Sequence, residues 1–157
     1  MLKKYLFIFF LSMVPVIELR GAIPFAVNWE LDYWTALTVC AIGNMLPVPF
    51  IYFFARKILH WGADKKYIGK FFRFFIEKGE RGGQKLTARA GRGGLFVALM
   101  LFVGIPVPGT GAWTGTLAAS FLNMGIRSTA VSVSLGVVMA GIIMGVASTG
   151  VFSIFGI

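Results

Sequence analysis

Histidine and cysteine occur once each, at His60 and Cys40. One cysteine excludes an internal disulfide, and the pair excludes a Cys/His cluster able to hold zinc. Cys40 lies in an apolar run and reads as a small buried residue. His60 stands beside Trp61 and reads as a surface group. No serine has an evident base beside it, so nucleophilic catalysis lacks its parts, and neither enzyme activity nor a cofactor or metal is expected. The basic glycine-rich run between residues 79 and 94 lacks a Gly-Lys-Ser/Thr ending, which excludes a phosphate loop. Alternation with period two is absent, which argues against a β-barrel. Charge is scarce too: 13% of residues carry it, against about 25% in soluble domains.

What fills the chain instead is apolar. The 157 residues are 57% hydrophobic, with a mean hydropathy of +0.81. This composition predicts a single all-α integral membrane domain over residues 1–157, multi-pass in the cell membrane. The net charge of +9 could suggest nucleic acid, but its distribution points elsewhere. Eleven Lys/Arg lie between Arg56 and Arg92, against Asp64, Glu77 and Glu80. A basic loop 56–92 between apolar spans fits the positive-inside rule and places that loop in the cytoplasm. No nucleic-acid partner is expected.

The rest of the chain is organised around Pro106-Val107-Pro108-Gly109-Thr110-Gly111-Ala112-Trp113-Thr114-Gly115. Leu95 to Ile105 precedes it, roughly 16 Å if helical. That is about half of a hydrocarbon core of roughly 30 Å. Two half-helices meeting at a polar elbow inside the membrane is the simplest reading. Irregular backbone at that depth survives only where protein buries it or water reaches it, so a site is expected there.

The N-terminus repeats the pattern. Lys3 and Lys4 precede an apolar run, Tyr5 to Val14, resembling a secretory signal, but no convincing cleavage site follows and the segment is read as retained. Residues 2–14 are stopped by Pro15, and Pro24 is a second breaker, with Glu18 and Arg20 between them. Phe25 to Trp29 then resumes the apolar run. Tyr33 to Phe54 is long enough for one crossing, with Trp29, Tyr33 and Trp34 at one interface and Arg56, Lys57 and Trp61 at the other. Gly43-Asn44 and Pro47-Val48-Pro49 predict a kink near its middle. Asn44, polar at depth, is either a helix–helix hydrogen bond or a site ligand.

Asp64 to Lys78 reads as a short amphipathic helix. Ile68, Phe71, Phe72, Phe75 and Ile76 share one face, and Lys66, Lys70, Arg73 and Glu77 fall opposite. Such a helix lies on the lipid surface and attracts anionic headgroups. The glycine-rich link after it is expected to be mobile. Ser128 to Ile157 is long enough to span, and Gly141, Gly145 and Thr149 form a small-residue stripe suited to close helix contact.

Each half therefore reads as a re-entrant helical hairpin followed by a transmembrane helix: 1–54 is the first repeat, 55–92 the basic amphipathic linker, and 93–157 the second repeat. One crossing per half inverts the two, and substrate sites in inverted repeats gather between half-helix ends. Residues 28–32 then lie outside. Residues 2–27 are either a hairpin entering from outside or one broken crossing helix, and the two place Lys3 and Lys4 on opposite sides.

The two elbows, Glu18-Leu19-Arg20-Gly21-Ala22-Ile23-Pro24 and Pro106 to Gly115, together with Gly43-Asn44 and Pro47-Val48-Pro49, resemble the small multidrug export protein family over nearly the whole chain. That family looks related to the DedA/VTT superfamily, with two facing re-entrant hairpins. The resemblance implies a transporter and, within the wider superfamily, movement of phospholipid or polyprenyl-phosphate carriers coupled to a proton or sodium ion. The chain lacks the DedA family's flanking helices and its Arg-rich second elbow. A drug exporter, an ion channel and a non-transporting scaffold are the other readings.

Charges at membrane depth need a partner or water. In the expected site Arg20 binds an anionic group, aided by half-helix N-termini. Glu18 exchanges the coupling ion. Gly109, Thr110 and Gly111 donate to the same anion. Gly21, Pro24, Pro106, Pro108 and Thr114 complete the expected substrate-binding set at the elbows, and Trp113 either lines the cavity or packs as an interface or core residue. The alternative for Glu18 and Arg20 is a structural pair locking the first elbow. Membrane lipids with anionic headgroups are the expected partners, and the small monomer suggests a homodimer.

Overall fold

The computed structural model describes residues 1–107 and 109–155, without the side chains of Phe75, Leu86 and residues 152–155. It is helical throughout, with no strand among the described residues. In chain order the helices are α1 (Leu2–Met13), α2 (Glu18–Asn28), α3 (Tyr33–Met45), α4 (Val48–Ala63), α5 (Gly69–Gly104), α6 (Ala112–Phe121) and α7 (Ile126–Phe155). By length and composition, Tyr33–Ala63 and Ile126–Val151 can each cross a membrane, and the two limbs of α5 would make a third span if counted together.

The first break is shorter than the proline spacing predicts. Val14 is extended, as the residue before a proline should be. Residues Val14–Ile17 form the break, and α2 then runs from Glu18 straight through Pro24. Arg20, Gly21 and Pro24 thus sit on a regular helix rather than an irregular elbow, and only Glu18, at φ 51°, keeps the irregular backbone of the break. Pro24 removes one backbone donor, and the rest of the helix holds because α2 is packed against α1, α3 and α7.

Asp32 opens α3. Its carboxylate accepts from the Thr35 hydroxyl at 2.6 Å and the Thr35 N–H at 2.8 Å, which hold it below the usual carboxylate range. In place of the expected kink, α3 hands over to α4 at Leu46–Pro47 with αR backbone at both residues, and the combined helix continues to Ala63.

The glycine-rich link is the largest departure from expectation. It is helical, and α5 continues through it to Gly104, bending by 94° between its limbs. Only Gly91 leaves helical geometry, at φ 70° and ψ 176°, a conformation that favours glycine. Glycine in a helix costs about 1 kcal/mol relative to alanine, so composition alone argues for a flexible linker. Tertiary packing overrides it. Gly79 and Gly83, one turn apart, rest on the α6–α7 turn, and a Cβ on either would lie 2.4 Å from the carbonyl oxygen of Phe121 or Leu122. Gly83→Ala should therefore destabilise the protein by about 1–3 kcal/mol through overpacking. Gly93 has nothing within 4 Å, so Gly93→Ala should stabilise it by about 0.5–1 kcal/mol. Thermal melts of the two variants check this; equal shifts would mean that the link is not docked.

The expected amphipathic face divides accordingly. Phe72 packs over Gly62 of α4, whereas Ile68 and Phe71 are exposed. The Phe75 side chain lies outside the described residues.

The core joins both halves: Ile8, Leu19, Ile23, Ala36 and Cys40 from the first, Val103, Ala112, Ala119, Val133 and Val137 from the second. Gly136 lets α7 approach α5, since a Cβ there would stand 2.7 Å from both the Met100 carbonyl oxygen and the Val103 Cβ. The stripe on α7 is used within the chain. Gly141 packs on Leu37 and Leu19, and Gly145 on the Tyr33 ring, while the Tyr33 hydroxyl donates to the Gly141 carbonyl at 3.0 Å.

Candidate functional site

A broken helix leaves free carbonyls at one end and free amides at the other. The break after α5 is such a place: Ile105 is extended, Gly109 takes φ 84°, and α6 starts at Ala112. Side chains from the first break reach across to satisfy both ends.

Arg20 serves the carbonyl end. Its Nη2 donates to the carbonyls of Val103 at 2.9 Å and Ile105 at 3.0 Å and to the Thr110 hydroxyl at 2.9 Å, and Nη1 donates to the Val107 carbonyl at 2.6 Å. The Thr110 hydroxyl is shared between the Ile105 and Val107 carbonyls at 2.9 and 2.8 Å. A planar guanidinium suits several acceptors at once, and a cation at a helix C-terminus is favoured by the macrodipole.

Glu18 serves the amide end. It is 5% exposed, and its Oε1 accepts from the Trp113 N–H at 3.2 Å, with the Ala112 amide also bonded to the carboxylate. A left-handed backbone at Glu18, φ 51°, turns this first residue of α2 toward α6. Gly111 admits the carboxylate: a Cβ there would lie 2.0 Å from Oε2. Trp113 returns the favour to the first break, its indole N–H donating to the Met13 carbonyl at the end of α1 at 3.2 Å.

The two breaks are thus one unit. Glu18, Arg20, Thr110, Gly111 and Trp113 come together. Between Glu18 and Arg20 no ion pair forms; the ion pair among the described residues is Arg81–Glu77, at 3.7 Å on the surface. The N–H groups next to Gly111 face Glu18, and Arg20 faces carbonyls. Gly21 packs on its own turn, against Ile17. Pro24 and Pro106 are half-buried, and Thr114 is exposed with its hydroxyl 3.5 Å from the Gly111 carbonyl. Asn44 is buried on α3, and its Oδ1 has no hydrogen-bond partner among the described residues. Pro108 lies outside the described residues.

A groove of about 610 Å³ runs along α4 beside this unit, lined by Pro49, Phe50, Ile51, Phe53, Phe54, Lys57 and Trp113. It is almost wholly apolar, with Lys57 as its one charge. Phe50, Phe53, Phe54 and Lys57 follow i, i+3, i+4, i+7, a helical face that the sequence carries and that inspection of the elbows alone overlooks. The acceptors of Arg20 are backbone carbonyls, for which no side-chain signature exists.

The family model described as "Putative small multi-drug export protein" matches residues 18–143, a range that contains Glu18 and Arg20, the second break, the α4 face and most of α7. No curated protein and no solved structure matches the chain.

Proposed function

The chain belongs to the small multi-drug export protein family, and from that membership we propose that it is a membrane transporter for anionic amphiphiles, phospholipid-like or polyprenyl-phosphate carriers. The observation that carries this reading is the double placement of Trp113. Its amide binds Glu18 at the helix break, and the same residue lines the apolar groove. A molecule with an anionic head and an apolar tail can use both parts at once.

In the proposed cycle the arrangement described above is the closed state. The Glu18 carboxylate occupies the α6 N-terminus, where an anion is favoured. A proton taken up by Glu18 removes that competitor and frees the Trp113 and Ala112 amides for the substrate headgroup. Arg20 then exchanges some of its carbonyl acceptors for the anion, a stronger charge-assisted bond. The tail follows the Phe50–Phe54 face, and Lys57 favours a negative headgroup over a cationic drug. Two inverted repeats with re-entrant hairpins, and a cytoplasmic basic segment 56–92, are the topology in which this site would lie near the bilayer midplane.

Reconstitution in liposomes tests it, with a fluorescent phosphatidate as cargo and an imposed pH gradient. The unaltered protein should move cargo in response to the gradient. Glu18→Gln should lose that response, and Arg20→Lys should slow transport by about tenfold. Gradient-driven transport that is unchanged in both folded variants would remove Glu18 and Arg20 from the mechanism. A neutral or cationic drug moved in preference to phosphatidate would favour the drug-exporter alternative.

A further inference from the structure

A second cleft, of about 920 Å³, lies away from the breaks. Its walls are the two limbs of α5 and the turn that leads into α7, and its polar lining is Glu80, Gln84, Thr87, Arg92, Asn123, Arg127 and Ser128. Arg92 stands three residues before Leu95, where the apolar limb of α5 begins. Arg127 is the second residue of the apolar span of α7. Both guanidiniums therefore sit where an apolar segment starts.

Arginine at a membrane edge is ordinary and needs no ligand. Two features set this pair apart. First, Arg20, Arg56, Arg73 and Arg81 each have a hydrogen-bond or ion-pair partner, whereas Arg92 and Arg127 have none among the described residues, and Arg89, which shares that state, does not line the cleft. Second, the two line one hollow whose volume falls in the range of about 300–1,000 Å³ usual for ligand sites. The only acid in the lining, Glu80, also lines a small neighbouring hollow that it shares with Arg56 and His60. The cleft exists because Gly79 and Gly83 bring the first limb of α5 onto the α6–α7 turn.

We propose that this cleft is an anion site, separate from the helix breaks, which takes a phosphate monoester headgroup with Arg92 and Arg127 as its charged ligands and Gln84, Asn123 and Ser128 as neutral donors. Guanidinium groups bind phosphate oxygens in bidentate fashion, and the volume exceeds the needs of a bare inorganic ion. The same chemistry could arrive on a lipid or on a water-soluble phosphate ester.

Calorimetric titration of the full chain in neutral detergent tests the site, with short-chain phosphatidic acid, glycerol 3-phosphate and short-chain phosphatidylcholine as probes. Phosphatidic acid should bind more tightly than phosphatidylcholine, and the Arg92→Gln/Arg127→Gln pair should weaken it by about tenfold or more. Removing two charges outside the cleft, by Lys66→Gln/Lys70→Gln, should change it by less than about twofold. Gln84→Trp fills the hollow and keeps its charge, and should weaken binding by about threefold or more. Glycerol 3-phosphate that binds as well as phosphatidic acid identifies a soluble ester as the source; binding of the lipid alone identifies a headgroup. The proposal fails if neither phosphate ester binds, if the lysine pair weakens binding as much as the arginine pair, or if Gln84→Trp leaves it unchanged.

Discussion

Arg20→Ala is expected to lower the unfolding free energy by about 3 kcal/mol, since hydrogen bonds to a charged group contribute about 1.5–3 kcal/mol each and Arg20 makes several in a half-buried setting. For a chain of this length that corresponds to a fall of about 6–12 °C in melting temperature. The cause is specific. Without the guanidinium, the Val103 carbonyl loses its side-chain donor, and one Thr110 hydroxyl is left for the carbonyls of Ile105 and Val107. Arg20→Lys should recover only part of the loss, because a single ammonium nitrogen cannot reach acceptors spread from Val103 to Val107. Melting of the detergent-purified protein, followed by tryptophan fluorescence, checks the order: unaltered, then Lys, then Ala. An Ala variant within about 2 °C of the unaltered protein would mean that the break is held by something else.

Gly111→Ala should cost about 2–3 kcal/mol, although it adds one methyl group. Backbone strain is not the reason: Gly111 is extended, at φ 161° and ψ −172°, and any residue can adopt that. The methyl would sit 2.0 Å from Glu18 Oε2 and 2.7 Å from Cδ. The carboxylate is the mobile end of a side chain and can swing away. In doing so it gives up the amides of Ala112 and Trp113 at a site where it is almost fully buried. A double-mutant cycle isolates this effect. In a Glu18→Ala background the same substitution should cost less than about 0.5 kcal/mol, because the group it displaces is gone. Equal costs in both backgrounds would place the methyl's effect elsewhere.

Much of this arrangement is legible in the chain. The Pro106 to Gly111 run announces a helix break between apolar segments, and the break is there. Glu18 and Arg20 stand out as the charges that an apolar N-terminal segment should not carry. Hydropathy marks spans at 33–54 and from Ser128 onward, which fall in the helices 33–63 and 126–151, and the handover at Leu46–Pro47 follows from its proline. Other features mislead when read locally. Pro24 looks like a helix end, yet three neighbouring helices hold α2 together around it. The glycines of residues 79–94 look like a loose linker, yet Gly79 and Gly83 are where one backbone lies on another. Gly141 and Gly145 mark a stripe for close helix contact without saying which helix, and Leu37, Leu19 and Tyr33 of the same chain fill it.

Sequence alone determined the class of protein, the apolar segments around Tyr33 to Phe54 and after Ser128, the break at Pro106 to Gly111 and the charges that stand near it in the fold. All of these depend on composition and on neighbours along the chain. What tertiary structure decided is what the charges face: Glu18 caps the amides of α6 and Arg20 the carbonyls of α5, rather than each other. Those acceptors and donors are main-chain groups, chemically alike in every residue. Only the folding of α2 against the second break, more than eighty residues away, selects which of them the two side chains meet.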